Sequence, residues 1–253
     1  MANDLGQSAV KGVSFQVRKG EILGIAGVEG NGQSELVEGI TGLEKIAHGE
    51  VLIGGESVNR KSIKEIRNLG TCHIPEDRMT YGVAKEMTIE QNVLADKHDS
   101  PAFTGPILTK TKAIRDLSNK LVDEYRIKCS SPLQEVGMLS GGNIQKVVVA
   151  REFSADPQLI IADQPTRGID VGATEFIRNR LVDLRDEGAA VMLVSADLNE
   201  VLELSDSLIV MYEGEVTAYF PDASKVSEEE LGLYMLGIKH QEQGEIEGVV
   251  YEK

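Results

Sequence analysis

Three short segments of this chain carry residue types at spacings suited to a phosphorylated ligand. The first, Gly27-Val-Glu-Gly-Asn-Gly-Gln-Ser34, matches G-x-x-x-x-G-K-[ST] at every fixed position except the lysine, which is Gln33. Gly27, Gly30, Asn31 and Gly32 let successive backbone N–H groups converge on an anion, and a helix starting near Ser34 and Glu35 adds its partial positive charge. Ser34 has the hydroxyl that can ligate Mg²⁺. Gln33 presents a neutral amide where an ammonium would neutralise phosphate. Charged hydrogen bonds contribute about 1.5–3 kcal/mol and neutral ones about 0.5–1.5 kcal/mol, so the substitution predicts weaker nucleotide binding. Taken alone, this segment reads equally well as an ordinary glycine-rich turn. The second segment, Leu139-Ser-Gly-Gly-Asn-Ile-Gln-Lys146, sets Ser140, Gly141 and Gly142 at the start of a helical Val147–Glu152. The third is an apolar run from Leu159 that ends at Asp163 and continues through Gln164 to Asp170.

These segments need strands and helices to position them. Val13-Ser-Phe-Gln-Val17 alternates, as a half-buried strand does, and Ile22–Ala26 is continuous, as a buried parallel strand is. Further continuous runs at Leu159–Ala162, Val191–Val194 and Leu208–Met211 are separated by helical patterns, which predicts an α/β fold with a mostly parallel sheet. Residues 85–150 read as a helical insert. Thr88 with Gln91 forms a capping box there, and Ile114, Leu117, Leu121 and Tyr125 recur at helical spacing. Ser227 with Glu230 is a second capping box, ahead of Leu231, Tyr234 and Met235. Residues 1–238 are expected to form the domain, with 239–253 an acidic, loosely ordered tail.

Composition limits the function classes. The chain has 253 residues, 41% hydrophobic and 26% charged, which is ample for a core, and its net charge of −15 repels polyanions and argues against nucleic acid as a partner. No secretory signal is visible, and no apolar stretch approaches the roughly 20 residues of a membrane span. Cys72 and Cys129 show no metal-ligand spacing and read as free thiols with packing roles in a reducing cytoplasm, and the four histidines, also without such spacing, read as solvated or satisfied side chains.

Taken together, the three segments resemble the ATP-binding cassette (ABC) family, in which a phosphate loop, an LSGGQ-type signature, a strand ending in Asp-Glu and an Asp loop follow in this order. Gly24-Ile-Ala-Gly-Val-Glu-Gly-Asn-Gly-Gln33, His73-Ile-Pro-Glu-Asp-Arg78 and Gln164-Pro-Thr-Arg-Gly-Ile-Asp-Val-Gly172 are similar to the second, C-terminal cassette of tandem importer ATPases for simple sugars and nucleosides. The Gly-Asn-Gly-Gln loop and Gln164 look more like the nucleoside importers. The resemblance implies a P-loop NTPase core with an N-terminal antiparallel β part and a helical insert. ATP and Mg²⁺ are the implied ligands, with Ser34 and Asp163 on the metal. The implied partners are a sister cassette, transmembrane permease subunits and, indirectly, an extracytoplasmic solute-binding protein, at the cytoplasmic face of the membrane.

Carried over residue by residue, the resemblance also implies losses. The position of the water-polarising glutamate holds Gln164, whose carboxamide cannot accept a proton at neutral pH. Aligned on the preceding strand, the switch-histidine position holds Ala196; aligned one residue later, it holds Asp197. Glu76 or Pro75 stands where a loop glutamine is expected. Counting back from Gly27, the adenine-stacking aromatic would fall near Ala2, yet no aromatic precedes Phe15, which suggests a fragment of a longer tandem protein. Three substitutions, at Gln33, Gln164 and Ala196, suggest a naturally degenerate site. Ser140, Gly141, Gly142 and Asp170 are intact, and in the family these serve the nucleotide of a partner cassette.

Overall fold

The computed structural model describes residues 9–105 and 108–247, and Ala2, where the adenine contact was sought, lies outside them. The chain divides into two units: one comprises residues 1–73, 158–164 and 181–253, the other residues 74–157 and 165–180.

In the first unit, β1 (Ile22–Ala26) is buried at all five positions, as its unbroken apolar run requires of a strand covered on both faces. After it come α1 (Gln33–Thr41), the hairpin strands β2 (Leu52–Ile53) and β3 (Glu56–Ser57), α2 (Ile63–Asn68) and β4 (Thr71–Ile74). Ser62 and Glu65 close a reciprocal capping box at the start of α2. The unit continues with β5 (Leu159–Asp163), β6 (Ala190–Ser195), α7 (Leu198–Leu204), β7 (Ser207–Tyr212), β8 (Glu215–Phe220), α8 (Glu228–Met235) and α9 (Gln243–Glu247). The sheet order is β4-β5-β6-β1-β7-β8. β1 pairs in parallel with both β6 and β7, β5 pairs in parallel with β6, and β7 and β8 form an antiparallel edge. Leu23 and Ile25 of β1 join Val37 and Ile40 of α1 on one face of the sheet. Val201 of α7 and Leu231 of α8 join Leu208 and Val210 on the other.

Two local expectations change. Residues 13–17 form no strand; Val13, Phe15 and Val17 pack as partly buried side chains against the Leu23 cluster, so their alternation reflects one-sided packing without a backbone partner. The expected antiparallel β part is present, as the β2–β3 hairpin and the β7–β8 edge. At α8 only half of the second box forms: the Ser227 hydroxyl accepts from the Glu230 N–H. In the acidic tail, Gln241 is tied to β8, donating its N–H to Thr217 O and accepting from Tyr219 N–H, and α9 follows.

The second unit holds the helices of the insert, α3 (Ile89–Leu94), α4 (Thr111–Glu124) and α5 (Gly141–Phe153), with a π-helical turn over Arg78–Gly82. Thr88 and Gln91 close the capping box at α3. α4 buries Ile114, Ser118 and Leu121, with Tyr125 at its C-cap, and α3 packs on both α4 and α5. α6 (Val171–Asp186) starts in this unit.

Candidate functional site

In the first unit the site follows from strand register. β1 opposes β6 as Ala26↔Ser195, and β5 opposes β6 as Asp163↔Val194. The carboxyl ends of the three strands therefore deliver the Gly27–Gly32 loop, Asp163, Gln164 and Ala196 to one edge, the usual ligand edge of an open α/β sheet. α1 starts immediately after the loop. Its N-cap is Gly32 at φ 99°, a conformation that favours glycine, and no side chain caps it, so the first-turn N–H groups stay open to an acceptor. Ser34 is exposed in that turn beside Glu35, and Asp163 is 6% exposed at the end of β5. Uncapped helix amides, a hydroxyl and a carboxylate are the donor set that Mg²⁺ and a polyphosphate require, so the residues fit such a ligand.

Gln33 is placed differently from the sequence expectation. Its side chain is 7% exposed, its Nε2 donates to Val28 O at 3.2 Å, and a Cβ on Gly27 would overlap that nitrogen. The amide thus closes the loop from within. Asn31 is likewise a brace: Nδ2 donates to Val28 O at 2.9 Å, and Oδ1 accepts from Glu213 N–H at 2.7 Å in the β7–β8 turn. Nothing local in the sequence links residue 31 to residue 213.

Gln164 lies at φ 48°, a left-handed conformation uncommon outside glycine. Its Oε1 accepts from the Ala196 N–H at 3.2 Å, which ties together the ends of β5 and β6. Asp197, onto which the switch position falls in the alternative alignment, caps α7, with Oδ1 accepting from Asn199 N–H at 3.0 Å and Glu200 N–H at 3.4 Å.

In the second unit Ser140 is the N-cap of α5, followed by Gly141 and Gly142. Asp170 precedes α6 and accepts from Ala173 N–H at 3.0 Å, and a Cβ on Gly142 would overlap Asp170 Oδ2. Ser140, Gly142, Asn143, Lys128, Lys146 and Asp170 border a cavity of about 320 Å³. Burial pushes the Lys146 ammonium below the usual lysine range; Asp170 opposes this, and Lys128 and Arg126 add to it.

Two connections were not legible from the sequence. Arg78 donates from Nη1 to Arg167 O at 2.8 Å and from Nη2 to Gly168 O at 3.2 Å, and Arg167 pairs with Glu76. Gln145, 2% exposed, donates to Pro165 O at 2.7 Å. The loop at Glu76, the signature helix and residues 165–170 are therefore joined by hydrogen bonds. An isolated arginine after Glu-Asp gives no sign of a carbonyl partner 89 residues away.

Comparison with known proteins agrees with this geometry. The family model described as ABC transporter matches residues 10–167. The guanosine import ATP-binding protein NupO of Bacillus subtilis is 37% identical over 243 residues, covering 96% of this chain and 48% of that protein. The glucose import ATP-binding protein TsgD13 of Haloferax volcanii is 39% identical over 237 residues, covering 93% of this chain and 43% of that one. Among solved structures, the dimeric ATP-binding cassette MJ0796 bound to ADP and Pi has a TM-score of 0.72 at 25% identity, covering 84% of this chain and 90% of that one. An α/β sheet whose carboxyl edge carries a glycine loop, together with an Asp-ended strand and a signature helix, defines an ABC-type ATP-binding cassette. The chain belongs to the ABC transporter family. It spans about half the length of the curated relatives it matches, and among the described residues no helix is long and apolar enough to cross a membrane.

Proposed function

We propose that this chain is the second, C-terminal cassette of a tandem ATP-binding protein that drives import of a simple sugar or nucleoside. Its own ATP site is degenerate, and its signature serves the sister cassette. The observation that carries the reading is the Gln164–Ala196 hydrogen bond. One lone-pair direction of the only side-chain acceptor at the base position is engaged by a backbone amide, and Ala196 has no side chain with which to meet a phosphate. The relatives named for guanosine and glucose import, each about twice as long as this chain, support the tandem and transport parts of the reading.

In this reading Mg-ATP is held loosely by the N–H groups of Gly30, Asn31, Gly32, Gln33 and Ser34, with Glu35 in the same helical turn and Ser34 and Asp163 on the metal. When bound, ATP supplies the γ-phosphate whose binding draws cassettes together. Ser140, Gly141, Gly142 and Asp170 act on the sister's nucleotide. The permease subunits dock at the cytoplasmic face on the loop containing Met79 and Tyr81, which are 41% and 71% exposed, and a solute-binding protein delivers cargo from outside.

The test compares two variants in the assembled transporter. Gly141→Asp places a carboxylate where the sister's phosphate would lie and is expected to abolish ATP turnover, whereas Gln33→Ala leaves most of it. Equal losses, or loss from Gln33→Ala alone, would make this domain's own phosphate loop the working site and overturn the reading.

A further inference from the structure

Among the described residues, four α-helices have a serine or threonine at the N-cap, and one of them behaves differently. Ser62, Thr88 and Ser227 each use the side-chain oxygen to accept the backbone N–H three residues on, at 3.4, 3.2 and 3.2 Å. Ser140, in the same extended N-cap conformation at φ −67° and ψ 155°, makes no such cap. Its Oγ instead accepts from the side-chain Nδ2 of Asn143 at 2.8 Å. Asn143 is fixed at its other end, where Oδ1 accepts from the Lys128 backbone N–H at 2.8 Å. Because a backbone amide can only donate, that contact makes Oδ1 the acceptor and leaves Nδ2 as the donor toward Ser140.

A serine hydroxyl has one proton and two lone pairs. With one lone pair taken by Asn143, the proton must rotate away from it. Both residues border the cavity that also meets Gly142, Lys146 and Asp170, and Ser140 is exposed there. Giving up the cap also leaves the first-turn amides of α5 without a side-chain acceptor.

We propose that Asn143 is a positioning residue: it holds Ser140 as a hydrogen-bond acceptor on the inner side, so that the hydroxyl proton and the α5 amides are all presented as donors to an anion. This rests on the reading that the signature serves a sister cassette's phosphate. Asn143 itself touches neither nucleotide nor metal in this role; it acts through Ser140.

The experiment is a double-mutant cycle on ATP turnover in the assembled transporter, using Ser140→Ala, Asn143→Asp, the neutral isostere Asn143→Leu, and each Asn143 change combined with Ser140→Ala. Each single change is expected to lower kcat by about tenfold or more, the size of one charge-assisted hydrogen bond, with KM for ATP little changed. Adding either Asn143 change to Ser140→Ala should then lower kcat no further. Repulsion from a new carboxylate would persist without the hydroxyl, so an additional loss in the Asn143→Asp, Ser140→Ala pair overturns the positioning role. Normal turnover in both Asn143 variants, with Ser140→Ala impaired, also overturns it. Normal turnover in Ser140→Ala would instead refute the signature reading itself. A second readout needs no nucleotide and no change at Asn143. In the nucleotide-free chain, Ser140→Ala should shift the Asn143 side-chain amide proton resonances while leaving the Lys128 backbone amide in place; an unmoved Asn143 amide would mean that the bond is not formed.

Discussion

Gly142→Ala adds a single carbon at the second position of α5. In an open helix, replacing glycine with alanine stabilises by roughly 0.5–1 kcal/mol, because the unfolded chain loses freedom. Here the new Cβ would overlap Asp170 Oδ2 and lie 2.9 Å from Ala173 Cβ. If the carboxylate stays, overpacking costs about 1–3 kcal/mol. If it swings away, it releases the Ala173 N–H that it now accepts at 3.0 Å, a cap worth about 1 kcal/mol. Either route cancels or exceeds the intrinsic gain: the net loss is roughly 0–0.5 kcal/mol if the carboxylate swings away and roughly 0–2.5 kcal/mol if it stays. Gly232 in α8 is the internal control, since nothing lies within 4 Å of a Cβ built there, and Gly232→Ala should stabilise by about 0.5–1 kcal/mol. Urea unfolding should therefore raise the midpoint of Gly232→Ala and leave that of Gly142→Ala unchanged or lower, at unchanged slope. The loss should shrink when Asp170→Ala removes the obstructing carboxylate. A Gly142→Ala midpoint as high as that of Gly232→Ala would refute the claim that the signature turn and Asp170 are packed against each other without spare room.

Gln33→Lys should separate affinity from stability. It removes the bond from Nε2 to Val28 O, costing about 0.5–1.5 kcal/mol of nucleotide-free stability, and supplies a charged donor that tightens Mg-ATP by on the order of 1 kcal/mol, which calorimetry would read as roughly fivefold; unchanged affinity would mean that the loop does not cradle phosphate. Gln164→Glu alone should leave the isolated chain with negligible ATP hydrolysis, since Ala196 is still present, and phosphate release at an ordinary cassette rate, abolished by adding Asp163→Asn, would disprove this. Asp77 is held below the usual aspartate range first by the Thr80 hydroxyl and then by the Thr80 and Met79 N–H groups. A depressed folded pKa gives stability that is present above the unfolded value and lost as pH falls through the folded one. Hydrogen exchange at Met79 and Thr80, measured relative to α5, should therefore accelerate only at pH below the ordinary aspartate range. Asp77→Asn should flatten that profile; an unchanged profile would assign the pH effect to another group.

Much of this protein is set by local pattern. The buried run Ile22–Ala26, the glycine loop after it, the strand ending in Asp163 and the Ser-Gly-Gly start of α5 are each written in consecutive residues, because covered strands demand continuous apolar side chains and anion-binding turns demand glycine. The Thr88–Gln91 box forms for the same reason: both partners lie within one helical turn. Elsewhere tertiary structure decided. Residues 13–17 alternate as a strand would but found no ladder, since alternation records which side is covered and not whether a backbone neighbour exists. Gln33 looked like a ligand donor and turned inward, because Gly27 leaves a space that its amide fills. The Gln164–Ala196, Arg78–Arg167 and Asn31–Glu213 bonds join residues 32, 89 and 182 positions apart. Residue types and local spacing determine which groups are available to act on a phosphate. Which of them are instead spent on one another depends on chain closure over those distances, and no local pattern encodes that.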